Sequence, residues 1–366
     1  MKVVVDTYPM LVRSAGVKNY LHHWLQALRK IAPAGAIAAF PPISNGVQLD
    51  HERSMRGRWA TYRDLAALAL SNHLNFPLPG GIARGADIFH ASSLVRHPPR
   101  RPLLTATIHD LTSLTMPELH PAANRVADRH LADNLRRAQR IIAVSEATRQ
   151  DAIRLLGIVP EKIVTIHSGV APAFFDVPAG TIAEARARYR LTRPVVLSVG
   201  TIEPRKNFHG LVSAWRALSA ELRNEYELVV AGPMGWAGAE TEKDVRSIRY
   251  LGYVPERDIA ALTAAAAIFA YPSLYEGFGF PVAQAMAAGV PVVTSNTSAL
   301  PEIAGDAAVL VDPHSQSELR GALDRLMRDS GLRVQLAERG RKRAERFRWE
   351  TCAAKSWRFF EEVKAG

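Results

Sequence analysis

Residues 195–208 read Val-Val-Leu-Ser-Val-Gly-Thr-Ile-Glu-Pro-Arg-Lys-Asn-Phe, and this stretch decides the fold class. An apolar run without polar alternation, Val195–Val199, predicts a strand buried on both faces, as in a parallel sheet covered by helices. A glycine ends the run, a cationic pair follows, and a helix is predicted from about Phe208. Strand, turn and helix in that order are the repeating unit of a doubly wound α/β domain, which binds ligands at the carboxyl ends of its strands. The helix start offers free N–H groups and partial positive charge, which Arg205 and Lys206 oppose. Basic residues there need a reason. A bound diphosphate supplies one, since arginine offers a bidentate fork and lysine a point charge. A solvated pair is the plain alternative.

The same alternation extends in both directions. Downstream lie the runs Glu227–Ala231, Ile248–Leu251, Ile268–Tyr271, Val292–Thr294 and Ala308–Val311. Upstream lie Val3–Val5, Ile88–His90, Leu103–Ile108 and Ile141–Val144, with helical stretches at Val17–Ala32 and Ala122–Ala138. Two such sets predict two doubly wound, Rossmann-like domains with a ligand cleft between them. A length of 366 residues suits that count at roughly 150 residues per domain. The boundary is expected in Ala171–Pro194, where Pro172, Pro178, Gly180 and Pro194 surround a short helix, Ile182–Tyr189. The reading is a first domain over 1–172, a linker over 173–194 and a second domain over 195–348. The tail Trp349–Lys364 carries Trp349, Trp357, Phe359 and Phe360. It is expected to form an amphipathic helix packed back on the first domain, so that 349–366 joins it.

A second dense turn follows Ile268–Tyr271: Pro-Ser-Leu-Tyr-Glu-Gly-Phe-Gly-Phe-Pro over 272–281, then a helix. Two glycines around an aromatic let backbone approach a ligand, and Pro281 sets the helix entry. Phe278 and Phe280 are expected to be exposed, Glu276 to accept hydrogen bonds from sugar hydroxyls, and Gln284 to reach the same cleft. After Leu103–Ile108 comes His109, which admits two readings, a structural hydrogen-bonder or a group on the rim of the cleft. Gly16, in the turn after the first strand, is either a simple turn glycine or a point where phosphate meets backbone N–H groups.

Composition narrows the classes. Cys352 is the single cysteine, so no intramolecular disulfide and no multi-cysteine zinc site can form. The N-terminus has no signal-peptide pattern, and no run approaches the roughly 20 apolar residues of a membrane span, so the expected location is cytoplasmic. The net charge is +11. Residues 1–172 hold 21 Lys and Arg against 12 Asp and Glu, or +9, and the remainder holds 25 against 23, or +2. Such asymmetry points to an anionic contact, a membrane headgroup layer or nucleic acid, with a solvated basic surface as the bland case. Arg53, Arg56, Arg58 and Arg63 lead into the apolar stretch Leu65–Leu70, which suits peripheral contact with anionic lipid at the inner face of a membrane. There is no Walker A loop, no G-x-G-x-x-G after a strand and no G-x-S-x-G elbow. Without a D-x-D, no metal-bound diphosphate is expected, so no cofactor or metal is assigned.

Together these motifs resemble the retaining glycosyltransferases of family 4, which have the GT-B architecture. The likeness is strongest from Val195 to Pro313, through G-T-I-E-P-R-K-N, L-G-Y-V-P-E-R-D-I-A-A-L, Y-P-S-L-Y-E-G-F-G-F-P, A-M-A-A-G-V-P-V-V-T-S-N and L-P-E-I-A-G-D-A-A-V-L-V-D-P. In the first half it rests on T-I-H-D-L, I-I-A-V-S-E-A-T-R and the Gly16 turn. The resemblance implies a nucleotide-sugar donor held mainly by the second domain and an acceptor held by the first. Arg205 and Lys206 would stabilise the leaving diphosphate. Glu276 with the Gly277, Phe278, Gly279 and Phe280 backbone would hold the donor sugar, and His109 would face it. Gly16 would approach the phosphate, and Tyr253 and Val254 would lie near the base. Two positions depart from the family pattern. Gln284 stands where a second glutamate usually binds ribose, and Thr201 where many members have arginine.

The expected function is metal-independent retaining transfer of a hexose, with GDP-mannose favoured, to a glycan or lipid-linked glycan acceptor in polysaccharide assembly. Another GT-B enzyme, such as a nucleotide-sugar epimerase or a phosphorylase, is one rival. A non-enzymatic protein binding an anionic surface is the other; no specific nucleic-acid partner is expected.

Overall fold

The computed structural model describes residues 1–44, 46–77, 83–92, 94–120 and 131–366. The chain divides into two compact units, Met1–Gly169 with Trp349–Gly366, and Val170–Arg348.

The first unit holds a six-stranded, all-parallel sheet in the order β2-β1-β3-β4-β5-β6. Its strands are β1 (Val3–Asp6), β2 (Ile37–Phe40), β3 (Ile88–Ala91), β4 (Leu103–Ile108), β5 (Arg140–Ala143) and β6 (Ile163–Thr165). Two of them, β2 and β6, were not expected. The first is a short alanine-rich run and the second has three residues, too little apolar signal to stand out. Helix α1 (Gly16–Ile31) buries Tyr20, Trp24 and Leu28. Against it lies the helix Trp349–Ala365, which buries Trp349, Phe359 and Phe360. Tyr20 meets Trp349 edge-on at 5.5 Å between ring centroids, and Trp24 Nε1 donates to Ser356 Oγ at 2.9 Å. Those are the partners the tail's aromatic residues require. Of the helix expected over Ala122–Ala138, residues 131–137 are helical and 121–130 lie outside the described residues.

Helix α2 (Arg58–His73) carries the stretch Leu65–Leu70 that follows the arginines, and its leucines part ways: Leu70 is exposed. Leu68 points inward and is buried, together with Thr61 and Ser71.

The second unit repeats the parallel scheme with β7 (Val195–Val199), β8 (Glu227–Ala231), β9 (Arg249–Tyr250), β10 (Ile268–Tyr271), β11 (Val292–Ser295) and β12 (Ala308–Val311). The order is β12-β11-β10-β7-β8-β9. All strands stay parallel, but the order in which they are added reverses between β7 and β10, the switch point at which an open α/β sheet opens a crevice at its strand ends. The segment 173–194, read as a linker, belongs to this unit. Its helix, Ala179–Arg188, is docked by Arg186 Nη1 donating to Ala265 O (3.1 Å) and by Arg188 and Tyr189 both bonded to Asp258 (2.6 and 2.9 Å). Proline and glycine marked a change of course there rather than a free tether.

Candidate active site

The two motif loops leave the two strands that flank the switch point, one after β7 and one after β10. Their backbones are tied together. Leu274 N donates to Arg205 O at 2.8 Å. Asn207, in the left-handed region at φ +56°, caps the helix Phe208–Arg216 by accepting from Gly210 N, and its amide donates to Pro272 O (3.1 Å) and Pro313 O (2.8 Å). One asparagine thus fixes the helix N-terminus and two neighbouring loops.

The charged side chains form a single buried cluster. Arg205 Nη2 lies 2.7 Å from Glu203 Oε1, and Nη1 lies 2.9 Å from Glu276 Oε2 while donating to Tyr275 O at 2.7 Å. Lys206 Nζ donates to Glu276 Oε1 and to the Tyr271 hydroxyl, each at 2.6 Å. Glu276 Oε1 also accepts from Tyr271 (2.8 Å) and Ser273 (2.9 Å), and Glu276 N donates to Ser298 Oγ (2.9 Å). Arg205 and Lys206 side chains are only 13% and 11% exposed. Burial alone would raise the Glu276 carboxyl; the Arg205 and Lys206 charges outweigh it and hold the group down to about 2. Burial, then the Glu276 charge, push the Tyr271 phenol well above its ordinary range.

The sequence reading gave the cationic pair and Glu276 separate jobs. The structure couples them: two cations and two carboxylates form one network of zero formal charge. Glu203, Tyr271 and Ser273 were missed as members. The signal available was position, since Tyr271 ends β10 and Glu203 stands in the turn after β7.

The aromatics correct a second expectation. Phe278 is 4% exposed, its ring edge-on to Phe280 (5.1 Å) and to Phe347 (5.6 Å). Gly279 adopts φ +90°, and a Cβ there would stand 2.7 Å from Leu300 Cδ2. That glycine serves internal packing, and Phe278 is held among other rings as core rather than as an exposed aromatic. Gln284 is half-buried in the first turns of the helix Phe280–Ala287.

Thr201 follows Gly200 beside a loop the sequence reading passed over, Gly232–Gly235. A Cβ on Gly232 (φ +144°) would fall 1.9 Å from Gly200 O, and one on Gly235 would fall 2.7 Å from Ile202 O. Backbone therefore rests on backbone at this end of the sheet. Gly232 N also donates to Gly252 O, which brings the turn carrying Tyr253 and Val254 alongside; Tyr253 is exposed and Val254 buried.

In the first unit, His109 follows β4 with its ring 4.7 Å from Tyr20. Burial pushes its imidazole down to about 4 against an opposing pull from Asp110, so it is neutral at pH 7. Gly16 is the first residue of α1, and a Cβ there would meet nothing within 4 Å, so internal packing does not require glycine. Among the described residues no three His, Cys, Asp or Glu side chains converge to hold a metal ion.

Residues 182–343 match the family model described as glycosyl transferases group 1, and residues 42–174 match the one described as glycosyltransferase family 4. O-antigen chain mannosyltransferase B of Escherichia coli is 36% identical over 377 residues, covering 97% of this chain and 98% of its own length. Sucrose-phosphate synthase from Thermosynechococcus elongatus superposes with a TM-score of 0.73 at 19% identity, over 100% of this chain and 99% of that one. Anabaena Alr3699/HepE in complex with UDP-glucose gives 0.72 at 19% identity, over 99% of this chain and 100% of that one. At that identity the two structures speak for the fold alone.

Proposed function

The chain belongs to the family 4 glycosyltransferases, with the GT-B fold, and from that premise we propose that it moves mannose from GDP-mannose to a lipid-linked glycan during polysaccharide assembly. The mannosyl part rests on likeness to the O-antigen chain enzyme over nearly its whole length. The observation that carries the chemistry is the buried Glu203–Arg205–Lys206–Glu276 cluster at the switch point of the second sheet.

A donor diphosphate competes with Glu276 for the two cations. Arg205 and Lys206, aided by the N–H groups of the capped helix Phe208–Arg216, then stabilise the charge that grows on the leaving phosphate. Glu276, released from one cation, accepts hydrogen bonds from sugar hydroxyls. The transfer is retaining: the diphosphate leaves the anomeric carbon, the acceptor hydroxyl adds on the same face, and the leaving phosphate oxygen takes its proton. No metal is assigned a part, because Arg205 and Lys206, once the donor displaces Glu276 from one of them, supply the positive charge. Neutral His109 donates a hydrogen bond to the sugar without adding charge, and Gly16 admits phosphate to the start of α1. Gln284 offers an amide to the ribose hydroxyls, and Tyr253 and Val254 border the base. The enzyme works at the inner face of a membrane, where its acceptor is anchored.

Thermal-shift measurement with GDP, UDP, dTDP and ADP tests the donor. A ligand stabilises by RT ln(1 + [L]/Kd), about 2.7 kcal/mol at a hundredfold excess over Kd, so GDP should give the largest rise in Tm. A larger rise with UDP would move the donor to a UDP-sugar, and no rise with any nucleotide would remove the donor-site assignment.

A further inference from the structure

Helix α2 is built inside out. Its inward face carries polar groups: Thr61 Oγ1 lies 2.7 Å from Ser54 Oγ, Asp64 pairs with Arg56, Ser71 Oγ donates to Phe76 O (2.7 Å), and Asn72 Nδ2 donates to Leu94 O (3.2 Å). Leu68 is the one large apolar side chain of the helix that is buried. The outward face carries Trp59, Tyr62, Ala66, Leu70 and Leu74, spaced three and four apart and so within roughly 120° of the helix circumference. Trp59 is 87% exposed, and Tyr62, Leu70, Leu74 and Phe76 are each more than half exposed. A surface helix ordinarily turns its apolar residues inward; here exposed Arg63 and His73 fall in the same arc, and a face that mixes exposed aromatic, apolar and basic groups marks a binding surface.

The surrounding charge selects the occupant. Arg53 and Arg58 are exposed and make no ion pair among the described residues, and Arg63 stands 72% exposed while it pairs with Asp64. Residues 51–77 hold four arginines against Glu52 and Asp64, on a half of the chain that carries +9. Buried Lys18 stiffens the base of this platform, its ammonium donating to Asp50 O and Arg53 O at 2.9 Å each. Tryptophan and tyrosine beside arginine suit the headgroup–acyl boundary of an anionic bilayer, rings in the boundary and guanidiniums on phosphate. A second copy docked face to face would set like charges together.

We propose that α2, extended by Phe76, is the face on which this enzyme docks to an anionic phospholipid bilayer, lying flat with Trp59, Tyr62, Leu70 and Leu74 in the boundary. This deepens the lipid-linked-acceptor reading and rests on it for its purpose, while the face itself is read from the helix alone. The test is co-sedimentation of the full chain with phosphatidylglycerol-containing vesicles and with pure phosphatidylcholine, without donor or acceptor. Anionic vesicles should bind at least about tenfold better, and Leu70→Ser with Leu74→Ser should lower partition by about tenfold or more. Trp emission should shift to the blue on vesicle addition, and Trp59→Phe should lose most of that shift. Equal binding to neutral vesicles, or partition unchanged by the leucine substitutions, overturns the proposal. So does a concentration-dependent dimer that the same substitutions dissolve in the absence of vesicle binding. Nucleotide thermal shifts on these variants should match those of the parent. If no nucleotide stabilises the parent while vesicle binding behaves as expected, the transfer reading fails and the docking face stands.

Discussion

Replacing Glu276 with glutamine removes one charge and keeps the side chain's shape, which isolates the electrostatic content of the buried cluster. The carboxyl lies near pH 2 in the fold against an ordinary value of 4.5, a gap equivalent to roughly 3 kcal/mol of folding stability, to order of magnitude. Because the folded value is depressed, that stability is fully present above about pH 4.5 and is lost as pH falls towards 2. Glu276→Gln should therefore lower the unfolding free energy by roughly 3 kcal/mol at pH 7. The difference from the parent should shrink to roughly 1 kcal/mol by pH 3, where the parent carboxyl is itself becoming neutral in the unfolded chain. Urea denaturation of both proteins across pH 7 to 3 measures this. An unchanged midpoint at pH 7 would refute the reasoning, and so would a gap that stays constant as pH falls. The substitution also removes the competitor for Arg205 and Lys206, so GDP affinity should rise while turnover falls.

Arg205→Ala should lower kcat by about 10² or more, the scale of losing a preorganised charge contact. Near-normal turnover in a protein carrying both Arg205→Ala and Lys206→Ala would show that neither cation meets the leaving group. Gly232→Ala should destabilise the second unit by about 2 kcal/mol or more, since its Cβ would fall 1.9 Å from backbone oxygen at φ +144°; calorimetry on the full chain would show a lowered Tm, and an unchanged one would mean that the β7 and β8 loops separate freely.

The long apolar strands were legible because a parallel sheet covered on both faces leaves a continuous hydrophobic run, as at Val195–Val199 and Ile141–Ala143. Alanine-rich β2 and three-residue β6 offered runs too short or too weakly apolar to stand out. The site was legible as loops and not as a network. Glu276 and Lys206 are 70 positions apart, and nothing local says that their side chains meet. The two loops are brought side by side by the strand order β10-β7, a non-local pairing that no local pattern carries. Phe278 looked like a ligand-facing ring, but its packing against Phe280 and Phe347, the latter nearly 70 positions away, holds it inside. Helix α2 shows the limit of periodicity: spacing tells which residues share a face, and packing alone tells which face turns inward.

The path of the chain through the first unit has a consequence for its birth on the ribosome. Tyr20 and Trp24 emerge early, yet part of what covers them belongs to Trp349–Ala365, which cannot arrive until all of Val170–Arg348 has been synthesised. The second unit is contiguous and can close on its own schedule. The first unit is begun first and completed after its neighbour, and through that interval α1 offers its apolar face to whatever holds nascent chains.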